Sequence, residues 1–116
     1  MAVIRIVPDL HAPEPGSGRA FYEHVLGLEV AMDQGWIVTY AAPGTPTAQL
    51  TVMADDASAP VAPDVSVEVD DVDAAHAAAL ARGDEIVHPL TDEPWGVRRF
   101  FVRDPHGNVV NVLAHR

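Results

Sequence analysis

Cysteine is absent from the chain, which excludes disulfides and thiolate metal sites outright. Long hydrophobic runs are missing too: none approaches the roughly 20 residues that a membrane-spanning helix needs. Nothing before Val3 has the basic start and apolar stretch of a signal sequence, so a cytoplasmic location is expected. Basic side chains are scarce, 7 against 17 acidic ones, for a formal net charge of −10. A surface of that sign repels nucleic acid and anionic membranes and attracts cations, so neither polyanion is an expected partner and a cationic ligand is. Apolar residues make up 48% of the 116. That suits one domain, or two small halves sharing a core, since isolated units of about 50 residues are marginal.

The sequence repeats itself. Laying "AVIRIVPDL" (residues 2–10) over "DVSVEVDDV" (64–72) aligns Val3 with Val65, Val7 with Val69 and Asp9 with Asp71, a displacement of 62 residues. The same displacement sets "APGT" (42–45) on "DPHG" (104–107) and "TAQLTVM" (47–53) on "VVNVLAH" (109–115). An insertion around "HAPEPGS" distinguishes the first half. Residues 1–54 and 64–116 are therefore read as two repeats, joined by the Ala-, Pro- and Asp-rich linker 55–63.

Each half reads as strand, helix and three strands. Residues 2–7 are β-branched enough for a strand, and "PGSGRAFYEHVLG" predicts a helix capped by Ser17, with Phe21 and Val25 on one face and Gly27 as its stop. In the second half Asp71 or Asp73 caps "AAHAAALAR", and Gly83 ends it. The remaining strands are "LEVAMD", "WIVTYAA" and "TAQLTVMA", then "DEIVHPL", "GVRRFFVR" and "NVVNVLA", with "DPHG" as a turn. Alternation places Val65, Val67 and Val69 under a helix and Asp64, Ser66 and Glu68 on the opposite face; likewise Val110 and Val112 oppose Val109, Asn111 and Leu113. The expected fold is α+β: two βαβββ repeats in a curved mixed sheet, helix-covered outside and partly polar inside the cup.

"VPDL", "FYEHVLGLEV", "VEVDDVDAA" and "WGVRRFFVRDPHGN", in this order and spacing, resemble the vicinal oxygen chelate superfamily over essentially the whole chain. That superfamily includes glyoxalase I, extradiol dioxygenases, fosfomycin-resistance transferases and bleomycin-resistance proteins, and the last stretch looks most like the bleomycin-resistance branch. The resemblance implies a metal ligand on the first and last strand of each half. Carried over, those positions are Ala2, Asp64, Gln49 and Asn111, where His, Gln or Glu would be expected. Ala2 has no donor and neutral amides bind divalent ions weakly, so no metal and no other cofactor is expected.

The histidines give no metal pair on one face. His24 and His76 fall mid-helix, His11 in a loop, His106 in a turn and His115 at the tail; only His88 sits in a strand at the expected cup rim. Asp64, Ser66 and Glu68 form a polar row that is either a solvated strand face or a binding site, with Glu68 the candidate general base. Trp36, Tyr40, Trp95 and Phe101 flank the expected entrance, suited to stacking on flat ligands or cations and equally to core or interface packing. Arg98 and Arg99 must face opposite ways, so one of them, taken as Arg99, reaches inward. With Gln49 and Asn111 these residues make the candidate ligand-binding set.

The function this reading predicts is metal-independent binding of a small cationic or aromatic molecule by sequestration, as the resemblance to bleomycin-resistance proteins implies, in a homodimer. The alternatives are a lyase, isomerase or dioxygenase-like enzyme of the same superfamily, or an interaction domain with a vestigial cup.

Overall fold

The computed structural model describes residues 1–116. Two compact units divide them, Val7–Ala62 in one and Met1–Ile6 with Pro63–Arg116 in the other. The first strand, β1 (Val3–His11), contributes to both.

In the Val7–Ala62 unit, a 3-10 turn (Pro15–Gly18) leads into the short helix α1 (Arg19–His24), followed by β2 (Glu29–Asp33), β3 (Ile37–Ala42) and β4 (Thr45–Met53). The strands order as β2-β3-β4-β1, with β1 parallel to β4 and the rest antiparallel. One expectation fails at α1. Ser17 does not cap it: Pro15 starts the 3-10 turn, the Ser17 hydroxyl donates to the Glu14 carbonyl at 2.8 Å, and Gly18 takes the cap position. Phe21 and Val25 both face solvent, 55% and 66% exposed. The 3-10 turn rotates the helix so that Tyr22 packs inward instead, 4.8 Å from Tyr40 between ring centroids. Val38, Tyr40 and Val52 form the core there, with Leu28, Val30 and Leu50 against it. Gly27 is the left-handed stop, at φ 69°.

The other unit continues with β5 (Val65–Val69), α2 (Val72–Arg82), β6 (Ile86–Glu93), β7 (Val97–Arg103) and β8 (Val109–His115), in the order β1-β5-β8-β7-β6. β5 and β8 are parallel; β8, β7 and β6 are antiparallel. The Asp71 carboxylate accepts the Ala74 N–H at 3.0 Å, and Gly83, at φ 77°, ends the helix, as the sequence predicts. Val69, Val72, Ala79, Phe100 and Val112 bury one face, with Val67 and Val110 beside them. Each large side chain fully buried there contributes about 1.5–3 kcal/mol. The valine face therefore lies under the helix, and the α+β pattern of two strand-helix-strand units in mixed sheet is the one expected.

The strands run longer than the sequence suggests. β1 continues to His11 and β8 includes His115, so neither histidine is in a loop or tail. β6 continues past Pro89 to Glu93, because it is an edge strand where a missing N–H costs no ladder bond. The uniform displacement also breaks down. Ser66 lies opposite Asn111; moved by 62 residues that pair would put Ile4 opposite Gln49, whereas Asp9 lies opposite Thr51, three residues out of step. Length changes between first and last strand do not cancel in the two halves, so Ala2 with Asp64 and Gln49 with Asn111 cannot both be equivalent pairs.

Candidate functional site

On the Met1–Ile6/Pro63–Arg116 unit, the sheet face away from α2 is polar. Strand register sets it out in rows. Ser66, Asn111, Phe101 and His88 are successive partners across β5, β8, β7 and β6; Glu68, Leu113, Arg99 and Thr91 form the next row; His115, Val97 and Glu93 the third. Alternation brings these side chains to one face and leaves Arg98 on the other, where its guanidinium bridges Asp73 and Asp92 at 2.8 and 3.0 Å. The sequence expectation that Arg98 and Arg99 part company, with Arg99 inward, is what the geometry shows.

Arg99 is the centre of a buried ionic cluster. Its Nε and Nη2 both donate to Glu93 Oε2, at 2.7 and 2.6 Å, and both side chains are 6% exposed. The guanidinium lies between two rings, 5.0 Å from the Trp95 centroid and 4.8 Å from that of Phe101. His88 stands on the other side of Phe101, centroids 5.2 Å apart, with its Nε2 3.6 Å from Glu93 Oε2, too far for a hydrogen bond. Glu68 is also engaged: Oε1 receives Arg5 Nη2 at 3.0 Å and Oε2 contacts His115 Nδ1 at 2.7 Å. In the first row Asn111 Nδ2 donates to Ser66 Oγ at 3.0 Å.

Asn111 Oδ1 and His88 Nε2 on this face make no hydrogen bond, on residues 8% and 7% exposed. Buried polar groups without hydrogen bonds are uncommon, and each costs about 1–3 kcal/mol. These two lie on one row, at either side of Phe101.

The candidate residues fall out as follows. Ser66, Glu68, Arg99, Phe101 and Asn111 share this face, and Trp95, 54% exposed in the turn between β6 and β7, joins them through Arg99. Phe101 is fully buried under Arg99 and His88, so its ring is a support and not a stacking surface. Asp64 precedes β5, is exposed, and turns Oδ2 to the Val109 N–H at 2.8 Å, closing the strand pair instead of entering the polar row. Trp36, Tyr40 and Gln49 belong to the other unit. Trp36 is in the turn before β3 and 42% exposed; Gln49 Nε2 donates to the Pro46 carbonyl at 2.6 Å. Tyr40 is a core residue at 0% exposure, on the face with Tyr22, which corrects its placement among ligand-facing residues. Glu93, Arg5 and His115 were absent from the sequence-based set. Ending β6 at Leu90 hid Glu93; an acidic residue two before the turn glycine-adjacent Trp95 and in step with Val97 was the available signal.

Of the four positions that the resemblance implies for a metal, Ala2 offers a methyl, Asp64 Oδ2 accepts a backbone N–H, and Gln49 and Asn111 offer only neutral amide oxygens. No three His, Asp or Glu side chains gather. The residues present do not fit a divalent catalytic centre. Elsewhere on the same unit an open depression of about 490 Å³ lies at the start of α2, among Asp71, Asp73, Asp92, Arg98 and Arg116. Hydrogen bonds from Arg98 hold the Asp73 and Asp92 carboxyls below the usual range, so its rim is a set of internal ion pairs.

A profile of the Glyoxalase/Bleomycin resistance protein/Dioxygenase superfamily matches residues 9–112, and the chain belongs to that superfamily. Among solved structures, a superfamily member from Vibrio splendidus 12B01 is 19% identical, with 97% of this chain and 99% of that one covered and a TM-score of 0.70. Methylmalonyl-CoA epimerase from Mycobacterium tuberculosis is 17% identical at TM-score 0.72, covering 98% and 87%. A structure described as NAD-dependent benzaldehyde dehydrogenase from Legionella pneumophila is 16% identical at TM-score 0.75, covering 96% and 99%. Comparison with curated proteins returned no match. At these identities the structural likeness speaks to fold alone.

Proposed function

We propose that the protein is a metal-independent small-molecule binding protein, of the sequestering kind that bleomycin-resistance proteins represent, and that it works as a homodimer. The observation that carries this reading is the pair of buried, unpartnered polar atoms, Asn111 Oδ1 and His88 Nε2, on one row of this face. A ligand that completes them recovers their desolvation cost on binding. Turnover is less well supported. Both oxygens of Glu68, the candidate base, are already engaged by Arg5 and His115, so a substrate proton would share them with those two side chains.

Because both atoms are shut off from solvent, a neighbouring side chain must move to admit the ligand, and that step slows association. The test is a thermal-shift screen of small molecules on untagged protein, with and without EDTA, beside metal analysis of protein purified without chelator. The expected outcome is a ligand that stabilises equally in EDTA, by about 2.7 kcal/mol at a hundredfold excess over Kd. Near-stoichiometric metal with EDTA-sensitive turnover would overturn the reading.

A further inference from the structure

We propose, resting on the binding reading above, that the ligand held at Asn111 and His88 is uncharged and carries a hydrogen-bond donor. The formal charges of the face are matched within it: Arg5 with Glu68 at 3.0 Å, and Arg99 with Glu93 at 2.6 Å. A cationic ligand would have to draw Glu68 or Glu93 from its guanidinium, and an anionic one would have to draw the guanidinium from its carboxylate. Either exchange leaves a charge uncompensated in a region where the Arg99 and Glu93 side chains are 6% exposed, which is a heavy penalty.

Outside those ion pairs, the face leaves over one atom on Asn111 and one on His88. Asn111 commits its Nδ2 to Ser66 and keeps Oδ1, an acceptor with two lone pairs and no donor. His88 keeps Nε2, which donates or accepts according to its tautomer. A hydroxyl or amide N–H meets the first atom, and a hydroxyl can meet the second in either tautomer. The apolar remainder of the ligand has Trp95, backed by Arg99, as its nearest exposed aromatic surface. A guanidinium under one face of an indole draws its π charge downward, so the outer face favours a neutral ring over a second cation. The selectivity of the face thus runs against the net charge of −10 carried by the whole chain.

Four bicyclic probes of one size separate the possibilities by calorimetry: 2-naphthol, 2-methoxynaphthalene, N-methylquinolinium and 2-naphthoate. The proposal expects 2-naphthol to bind at least about tenfold more tightly than each of the others, because a site built around an unpaired acceptor rejects analogues without the donor. Asn111→Leu should abolish the preference for the naphthol over its methyl ether while the circular dichroism spectrum stays native. Asn111→Asp should move the preference to N-methylquinolinium. Tighter binding of either charged probe by the natural protein, or a naphthol preference that survives Asn111→Leu, overturns the inference. If none of the four binds while the thermal-shift screen yields a charged ligand, the inference fails and the binding reading stands; if the screen also yields nothing, both fail.

Discussion

Glu93 accepts two hydrogen bonds from one guanidinium through a single oxygen, on side chains almost fully withdrawn from water. Removing one member of such a pair is worse than never having had it, since the other is left as a buried charge. Glu93→Gln should destabilise by about 3 kcal/mol in urea unfolding, whereas Glu93→Leu combined with Arg99→Met should recover most of that loss. Equal losses in single and double variants would show that the pair is not what holds the cluster. Tyr40 gives a prediction of opposite character. Its buried hydroxyl has no partner, and burial pushes its pKa above the ordinary 10.0. The unfolded chain ionises that hydroxyl first, so the stability it contributes is fully present below pH 10.0 and declines as pH rises towards the folded value. Tyr40→Phe should raise stability at neutral pH by about 1–3 kcal/mol, by removing the unpaired hydroxyl, and flatten the alkaline decline. At this scale, Arg99 was legible because adjacent strand residues must oppose each other. Tyr40 was not, because an aromatic in a strand reads alike from either face until the helix covering it is known.

The elements were legible where capping chemistry was unambiguous and misread where an edge strand runs on past a proline. Asp71 and Gly83 bracket α2 as their residue types demand, and Gly83→Ala, forced to hold φ 77°, should cost about 1–2 kcal/mol with the loss seen as earlier thermal unfolding. The β7–β8 connection is equally specified: the Asp104 carboxylate accepts the N–H groups of His106 and Asn108 and the Asn108 side-chain amide, at 2.8–2.9 Å. Those bonds, the Asn108 side chain first, hold its pKa below 3.8, so its contribution is present above that pH and is lost as pH falls through the folded value. Asp104→Ser should therefore lower the unfolding midpoint at pH 6 and leave a smaller slope below pH 4 (both approximate). β6, by contrast, was read to stop at Leu90, just past Pro89, and that reading concealed Glu93. A proline marks the end of a central strand but not of an edge strand, and edge position is fixed by partners far away in sequence. The same non-local pairing put Asp9 opposite Thr51, which no repeat displacement could reveal.

For the molecule as a whole, charge and apolar exposure pull in opposite directions. With 17 acidic residues against 7 basic ones, copies of the chain repel one another at low ionic strength. Phe21, Val25 and Leu26 are each more than half exposed beside α1, an apolar set that favours self-association once the repulsion is weakened. The Debye length falls from about 30 Å at 0.01 M salt to about 8 Å at 0.15 M, so the proposed dimer should strengthen over that range in sedimentation equilibrium. Phe21→Ser with Val25→Ser should leave a monomer at every salt concentration with a native circular dichroism spectrum, since neither side chain belongs to the core. Ligand affinity should behave differently. An uncharged molecule meeting Asn111 and His88 exchanges no ions, so its Kd should stay constant across the same salt range, while a charged ligand drawn by the field of the whole surface would weaken steeply. A flat affinity profile beside a salt-dependent dimer would separate the two surfaces physically; a dimer that weakens with salt would mean that ion pairs, and not the α1 side chains, hold it together.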